Sequence, residues 1–231
     1  MPEALPESGT LGLPEGSVSW WRRGDSRRPL FLCAHGAGAP SASAFMQALG
    51  AGLDARGITV VHFDFPHMTR AARSGRRLPP DRPAVLLAAC GAVLDLVRTW
   101  QARDAAPTRC VVGGKSMGGR MWSMLLAATP VPEVAAALYL GYPLHPAGRP
   151  ERLRAAHLQE IAIPQLFLSG SRDPLARLDL LREVVDTLPH ARLHVVDGGD
   201  HSLATARHTP GAGSDLWLDA AAQFIHAHAP G

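Results

Sequence analysis

The stretch Gly114-Lys115-Ser116-Met117-Gly118 reads G-x-S-x-G, with the apolar run Cys110-Val111-Val112 before it and a helical pattern after it. A strand that turns this sharply into a helix pushes one hydroxyl out of the sheet. The flanking glycines leave room for the turn and for packing of helix on strand. The first backbone N–H groups of the helix then lie beside that hydroxyl, where an oxyanion would form. The segment therefore points to acyl transfer through Ser116. Read alone, the same serine also fits a helix N-cap. A phosphate-binding loop does not fit, because that motif needs a glycine where Arg109 stands, and residues 109–112 read as strand.

The rest of the chain repeats this alternation. Apolar, β-rich runs at Leu30–Ala34, Ile58–Phe63, Arg109–Val112, Ala136–Leu140, Gln165–Leu168 and Leu193–Val196 read as strands. Helical spacing is expected from about Ser41 to Leu53, with Ser41 or Ser43 as cap. It recurs from Pro83 to Arg103, Met117 to Ala128, Leu175 to Leu188 and Asp215 to His226. Strands separated by helices of this length predict an α/β fold, a mostly parallel, doubly wound sheet with helices on both faces. Trp20-Trp21 is expected in an early antiparallel edge strand. Residues 64–82 read as an arginine-rich solvated loop, which could also attract an anion. The segment from Tyr142 to Pro164 leaves space for one small helix near Arg152–Gln159, and none for a large cap domain.

A serine hydroxyl needs a base, and the base an orienting acid. Asp173 follows the strand ending at Leu168, and His201 follows the last strand. Asp-Pro also begins turns, so Asp173 alone would read as turn chemistry. With 11 histidines, position does the selecting. His194 lies in a strand, His226 and His228 near the end of the last helix, and His35, His62, His67, His145 and His157 precede Asp173. Asp200 is next to His201, but neighbouring side chains diverge, which favours Asp173. Ser116, Asp173 and His201 thus form the expected catalytic set. The expected oxyanion donors are the backbone N–H groups of Met117 and of Ala37, the latter in the turn His35-Gly36-Ala37-Gly38. Lys115 reads as a lysine whose stem packs while its head reaches solvent, the alternative being an ammonium that sets the local field or binds a nearby carboxylate.

Taken together, His35-Gly36-Ala37-Gly38-Ala39, Phe63-Asp64-Phe65-Pro66, Gly113 to Arg120, Gly141 to Pro146, Leu168 to Pro174 and Gly198 to His201 resemble the α/β-hydrolase superfamily. Within it the chain resembles the dienelactone-hydrolase-like group that includes testis-expressed hydrolase-like proteins and the hydrolase-like domain of a chromatin acetyltransferase-complex subunit. That resemblance implies a Ser116-Asp173-His201 triad and a hydrolase but supplies no substrate; the short segment after Tyr142, which leaves the site open, favours a small or extended acyl substrate. It also raises the alternative of a non-catalytic scaffold that keeps the fold. Dienelactone hydrolases proper use a cysteine nucleophile, so Ser116 points towards carboxylesterase chemistry. The resemblance implies no cofactor and no metal.

Composition sets the outer limits. The chain has 231 residues, 46% hydrophobic and 19% charged, with a net charge of +3. That supports a folded core and does not by itself imply nucleic acid. Residues 1–14 are expected to be a flexible tail and 15–231 a single domain. The tail lacks the basic and apolar regions of a signal peptide, and no stretch reads as a membrane span. Cys33, Cys90 and Cys110 sit in apolar surroundings and read as reduced core residues. A cytoplasmic location is the corresponding expectation.

Overall fold

The computed structural model describes residues 5–25, 27–103, 105–205 and 215–229. The strand that runs into Ser116 lies inside an eight-stranded sheet. In chain order the strands are β1 (Ser8–Leu13), β2 (Gly16–Arg23), β3 (Leu30–Ala34), β4 (Thr59–Asp64), β5 (Cys110–Lys115), β6 (Val134–Leu140), β7 (Gln165–Gly170) and β8 (Ala191–Val196). Their order across the sheet is β1-β2-β4-β3-β5-β6-β7-β8. From β4 through to β8 every neighbouring pair is parallel, and only β2 runs against the rest, antiparallel to both β1 and β4.

Strands β3 to β7 are buried on both faces, as a parallel sheet requires. Successive side chains alternate between two cores. Leu30, Leu32, Val61, Phe63, Val112, Tyr139 and Phe167 join one core, under α3 (Pro83–Gln101), α4 (Met117–Ala128) and α5 (Leu178–Asp186). Phe31, Cys33, Val60, Val111, Leu138 and Leu168 join the other, under α1 (Ala44–Asp54) and α6 (Asp215–His228). The chain leaves β3 through α1 to β4 on one side, then crosses by α2 (Pro66–Ser74) and α3 to β5 on the other. The carboxyl ends of β3 and β5 therefore flank the point where strand order reverses, which is where open α/β sheets place ligand crevices.

Four expectations need correction. The segment 64–82 is not all loop. Pro66 opens α2, and Gly75 at φ 65° ends it in the left-handed conformation. The helix was hard to see because its arginines leave little apolar periodicity. Two of the arginines pair within the fold, Arg70 with Asp81 and Arg82 with Glu15. The strand with Trp20-Trp21 is antiparallel but not at the edge, because residues 8–13 of the expected tail form β1 outside it. The ring of Trp20 packs edge-on against Trp100 of α3, 5.3 Å between centres, and ties this hairpin to the core. Helix α3 is long and apolar enough to cross a membrane by length and composition. Its residues Val85, Leu86, Ala89, Cys90, Val93, Leu94, Val97 and Trp100 instead face the core. Finally, the short helix after β6 is a 3₁₀ turn at Ala156–Glu160. The segment carries no large cap.

Burial also holds two histidines neutral. His35 and His62 have pKa values pushed down to about 4, chiefly by burial. The unfolded chain takes up these protons from about pH 6.5 downwards, the folded chain only near 4. Their contribution to stability is therefore full above about pH 6.5 and is lost as the pH falls towards 4, by on the order of 3 kcal/mol per histidine. Urea-unfolding midpoints measured from pH 7 to pH 4 should fall accordingly. In His62→Leu the fall should be visibly shallower; an identical slope would contradict this account.

Candidate active site

Ser116 stands between β5 and α4 with φ 50° and ψ −115°. A non-glycine residue in that region is strained and is held there by its surroundings. The surroundings are two close backbone passages. A Cβ on Gly114, whose φ is +143°, would overlap the carbonyl oxygen of Ala34 in β3, and one on Gly118 would lie 2.5 Å from the same oxygen. Only glycines let β5 and α4 approach β3 this closely. The Ser116 N–H donates to the Leu140 carbonyl at 2.9 Å, and its own carbonyl accepts from Arg120 N–H at 3.1 Å. Its hydroxyl makes no capping bond to the helix, so the N-cap reading does not account for the side chain.

The hydroxyl instead meets His201. Ser116 Oγ lies 2.9 Å from His201 Nε2, and His201 Nδ1 lies 2.8 Å from Asp173 Oδ2. An ionised carboxylate only accepts, so Nδ1 carries the proton and Nε2 is left to accept from the serine. The second oxygen of Asp173 accepts the Leu175 N–H at 2.8 Å, and the side chain is fully buried. Both oxygens are thus committed. The neighbouring Asp200 turns away and accepts from the N–H groups of Ser202 and Ala204, closing the loop that carries His201. The three expected residues are brought together although they lie on loops after β5, β7 and β8.

The turn expected to supply an oxyanion donor is held from beneath. His35 Nε2 accepts the Phe65 N–H at 3.0 Å, so its Nδ1 donates to the Gly36 carbonyl at 2.6 Å. Asp64 Oδ1 accepts both the N–H and the hydroxyl of Ser41, at 2.8 and 2.6 Å. These bonds fix the segment from His35 to Ser41 across the ends of β3 and β4. Ala37 lines a cleft of about 360 Å³ together with Phe45, Met46, Lys115, Ser116, Leu175 and His201. Met117 is the first residue of α4, and a first-turn N–H has no acceptor within its own helix.

Lys115 departs from the expected snorkelling. Its residue exposure is only 8%, and Nζ donates to the main-chain carbonyl of His201 instead of reaching solvent. The strand period explains this, since Lys115 ends a fully buried β5 with the His201 loop folded over it. Cys33, Cys90 and Cys110 are buried, with thiol pKa values pushed up by burial, which suits inert core residues.

A strained serine at a strand–helix turn, at the switch point of a doubly wound sheet, defines an α/β-hydrolase site. The chain belongs to the α/β-hydrolase family, whose domain model matches residues 27–229. Among solved structures, it resembles Est1E from Butyrivibrio proteoclasticus at 14% identity and a TM-score of 0.74, covering 96% of this chain and 98% of that one. A dienelactone hydrolase from Anabaena variabilis matches at 17% identity and a TM-score of 0.73, covering 99% of each chain. An α/β serine hydrolase homologue from Coxiella burnetii matches at 15% identity and a TM-score of 0.67, covering 95% of each. These likenesses concern the fold.

The close passages make a specific demand on the turn. Gly114→Ala should cost more than about 3 kcal/mol, since strain and a backbone overlap coincide. Thermal unfolding followed by circular dichroism would read this as a large drop in melting temperature; a shift of only a degree or two would mean that β3 and β5 can separate cheaply.

Proposed function

We propose that this protein is a serine hydrolase that cleaves a carboxylic ester or related acyl substrate through an acyl-enzyme. One observation carries the reading: Ser116, His201 and Asp173 form a hydrogen-bonded series at 2.9 and 2.8 Å. In this mechanism Ser116 Oγ attacks the carbonyl carbon while His201 Nε2 takes its proton. Asp173 keeps the proton on Nδ1 and stabilises the imidazolium that forms. The N–H groups of Met117 and Ala37 receive the oxyanion. His201 then protonates the leaving alcohol, and water, activated by the same nitrogen, releases the acid.

The cleft favours a modest acyl group. Its lining includes Phe45, Met46, Leu175, Ala37 and Ala39, so it suits an apolar chain better than a charged one.

A fluorophosphonate probe should label Ser116 in wild-type protein, and labelling should vanish in Ser116→Ala and nearly vanish in His201→Ala. With p-nitrophenyl esters of graded length, Asp173→Asn should lower kcat by about 10³- to 10⁴-fold. Well-folded wild-type protein that neither reacts with the probe nor turns over any ester would refute the hydrolase reading.

A further inference from the structure

The chain contains 23 lysine and arginine residues, and Lys115 is the only lysine among them. Every other cation is arginine. The single amine side chain therefore stands at one of the least exposed places a cation occupies in this fold, next to Ser116 and within the cleft wall. Arginine and lysine are not interchangeable there. A guanidinium is a broad planar fork, an ammonium a compact donor.

The surroundings are shaped for the compact donor. Lys115 Nζ donates to the His201 carbonyl, and it lies 5.7 Å from the centre of the Phe45 ring. Gly141, just beyond β6, has φ +60°. A Cβ there would lie 2.5 Å from the His201 carbonyl oxygen, 3.0 Å from Nζ and 3.3 Å from His201 Nδ1. Amine, carbonyl and glycine thus meet in a gap too small for one more methyl group. The carboxylates facing the amine are Asp173 and Asp200. Asp173 is committed to His201 and Leu175, and Asp200 bonds within its own loop.

We propose that Lys115 is a positioning residue for the histidine base: its ammonium clamps the His201 main chain to the end of β5 and so holds the imidazole between Ser116 and Asp173. The proposal rests on the hydrolase reading for its effect on rate, but the clamp itself is independent of turnover. The start of the loop bearing His201 is held to the end of β7, by Arg172 N–H on the Gly199 carbonyl at 2.9 Å and Gly198 N–H on Ser171 Oγ at 2.8 Å, while Lys115 grips the main chain of His201 itself. Burial pushes the amine down to about 8, against the pull of Asp173 and Asp200. The clamp is therefore a charge-assisted bond below about pH 8 and a neutral, weaker one above it.

A sole lysine makes the test direct, because protein labelled with ¹⁵N-lysine shows one side-chain Nζ resonance. Its titration midpoint should fall near pH 8, and kcat for a p-nitrophenyl ester should decline with the same midpoint. Lys115→Met should lower kcat by about 10- to 100-fold, the scale of a small misplacement of a catalytic group, with KM changed less than about threefold. The alkaline decline should be absent in that variant. Lys115→Arg should not restore kcat, because the fork does not fit beside Gly141. Gly141→Ala, which keeps the amine but fills the gap, should reproduce the loss and serves if Lys115→Met does not fold. Wild-type kcat in a folded Lys115→Met with its alkaline decline intact would overturn the proposal. Should wild-type protein hydrolyse nothing, the Nδ1 proton of His201 can still be followed by NMR. Its loss or displacement in Lys115→Met supports the clamp, and an unchanged signal overturns it.

Discussion

The site depends on a close passage of backbone against backbone, where β5 and the first turn of α4 press on the end of β3. Ala34 offers its carbonyl to a surface from which Gly114 and Gly118 have removed every side-chain atom. That approach bends the chain so abruptly that Ser116 is driven to φ 50°. The strain is sustained by the two cores on either side of the sheet, which no local segment could supply. The placement of the Ser116 hydroxyl is thus a consequence of packing.

Once Ser116 is fixed, the remaining polar groups fall into two sets with different tasks. Asp173 and His201 are joined to the serine in series, and Asp173 spends its second oxygen on a backbone N–H that locks its rotamer. His35, Asp64 and Ser41 never approach the serine hydroxyl. They bind main-chain groups and set the turn that carries Ala37. A neutral, buried His35 is suited to that work because its two nitrogens can donate at one end and accept at the other. Lys115 joins the two halves of the site, with its backbone in β5 and its ammonium on the loop that carries His201.

Much of this was legible in the residues. The strands β3 to β7 are so thoroughly apolar that they could be read as buried runs; Ser116 and Asp173 follow two of them, and His201 follows the half-buried β8. Ser116, Asp173 and His201 were recognisable because the order of three residue types after three strands is harder to meet by chance than any one of them. Helix α2 was not legible, since its buried face is small and its arginines mask the period. Strand β1 was hidden because half of its residues face solvent and its apolar positions, Leu11 and Leu13, are few. The direction of Lys115 is not legible, because a lysine ordinarily escapes to water, although its being the only lysine in the chain marks it as unusual.

Sequence by itself determined the alternation of strand and helix, the turn at Gly114 to Gly118, and the residue types able to attack, accept a proton and orient. These are local properties, set by side-chain period and by the backbone freedom of glycine. Tertiary structure alone decided that these residues close to hydrogen-bonding distance, where the ammonium of Lys115 ends, and that the site lies where the strand order reverses. Those depend on contacts between residues 28 to 86 positions apart, and only the assembled sheet brings such residues within a hydrogen bond of one another.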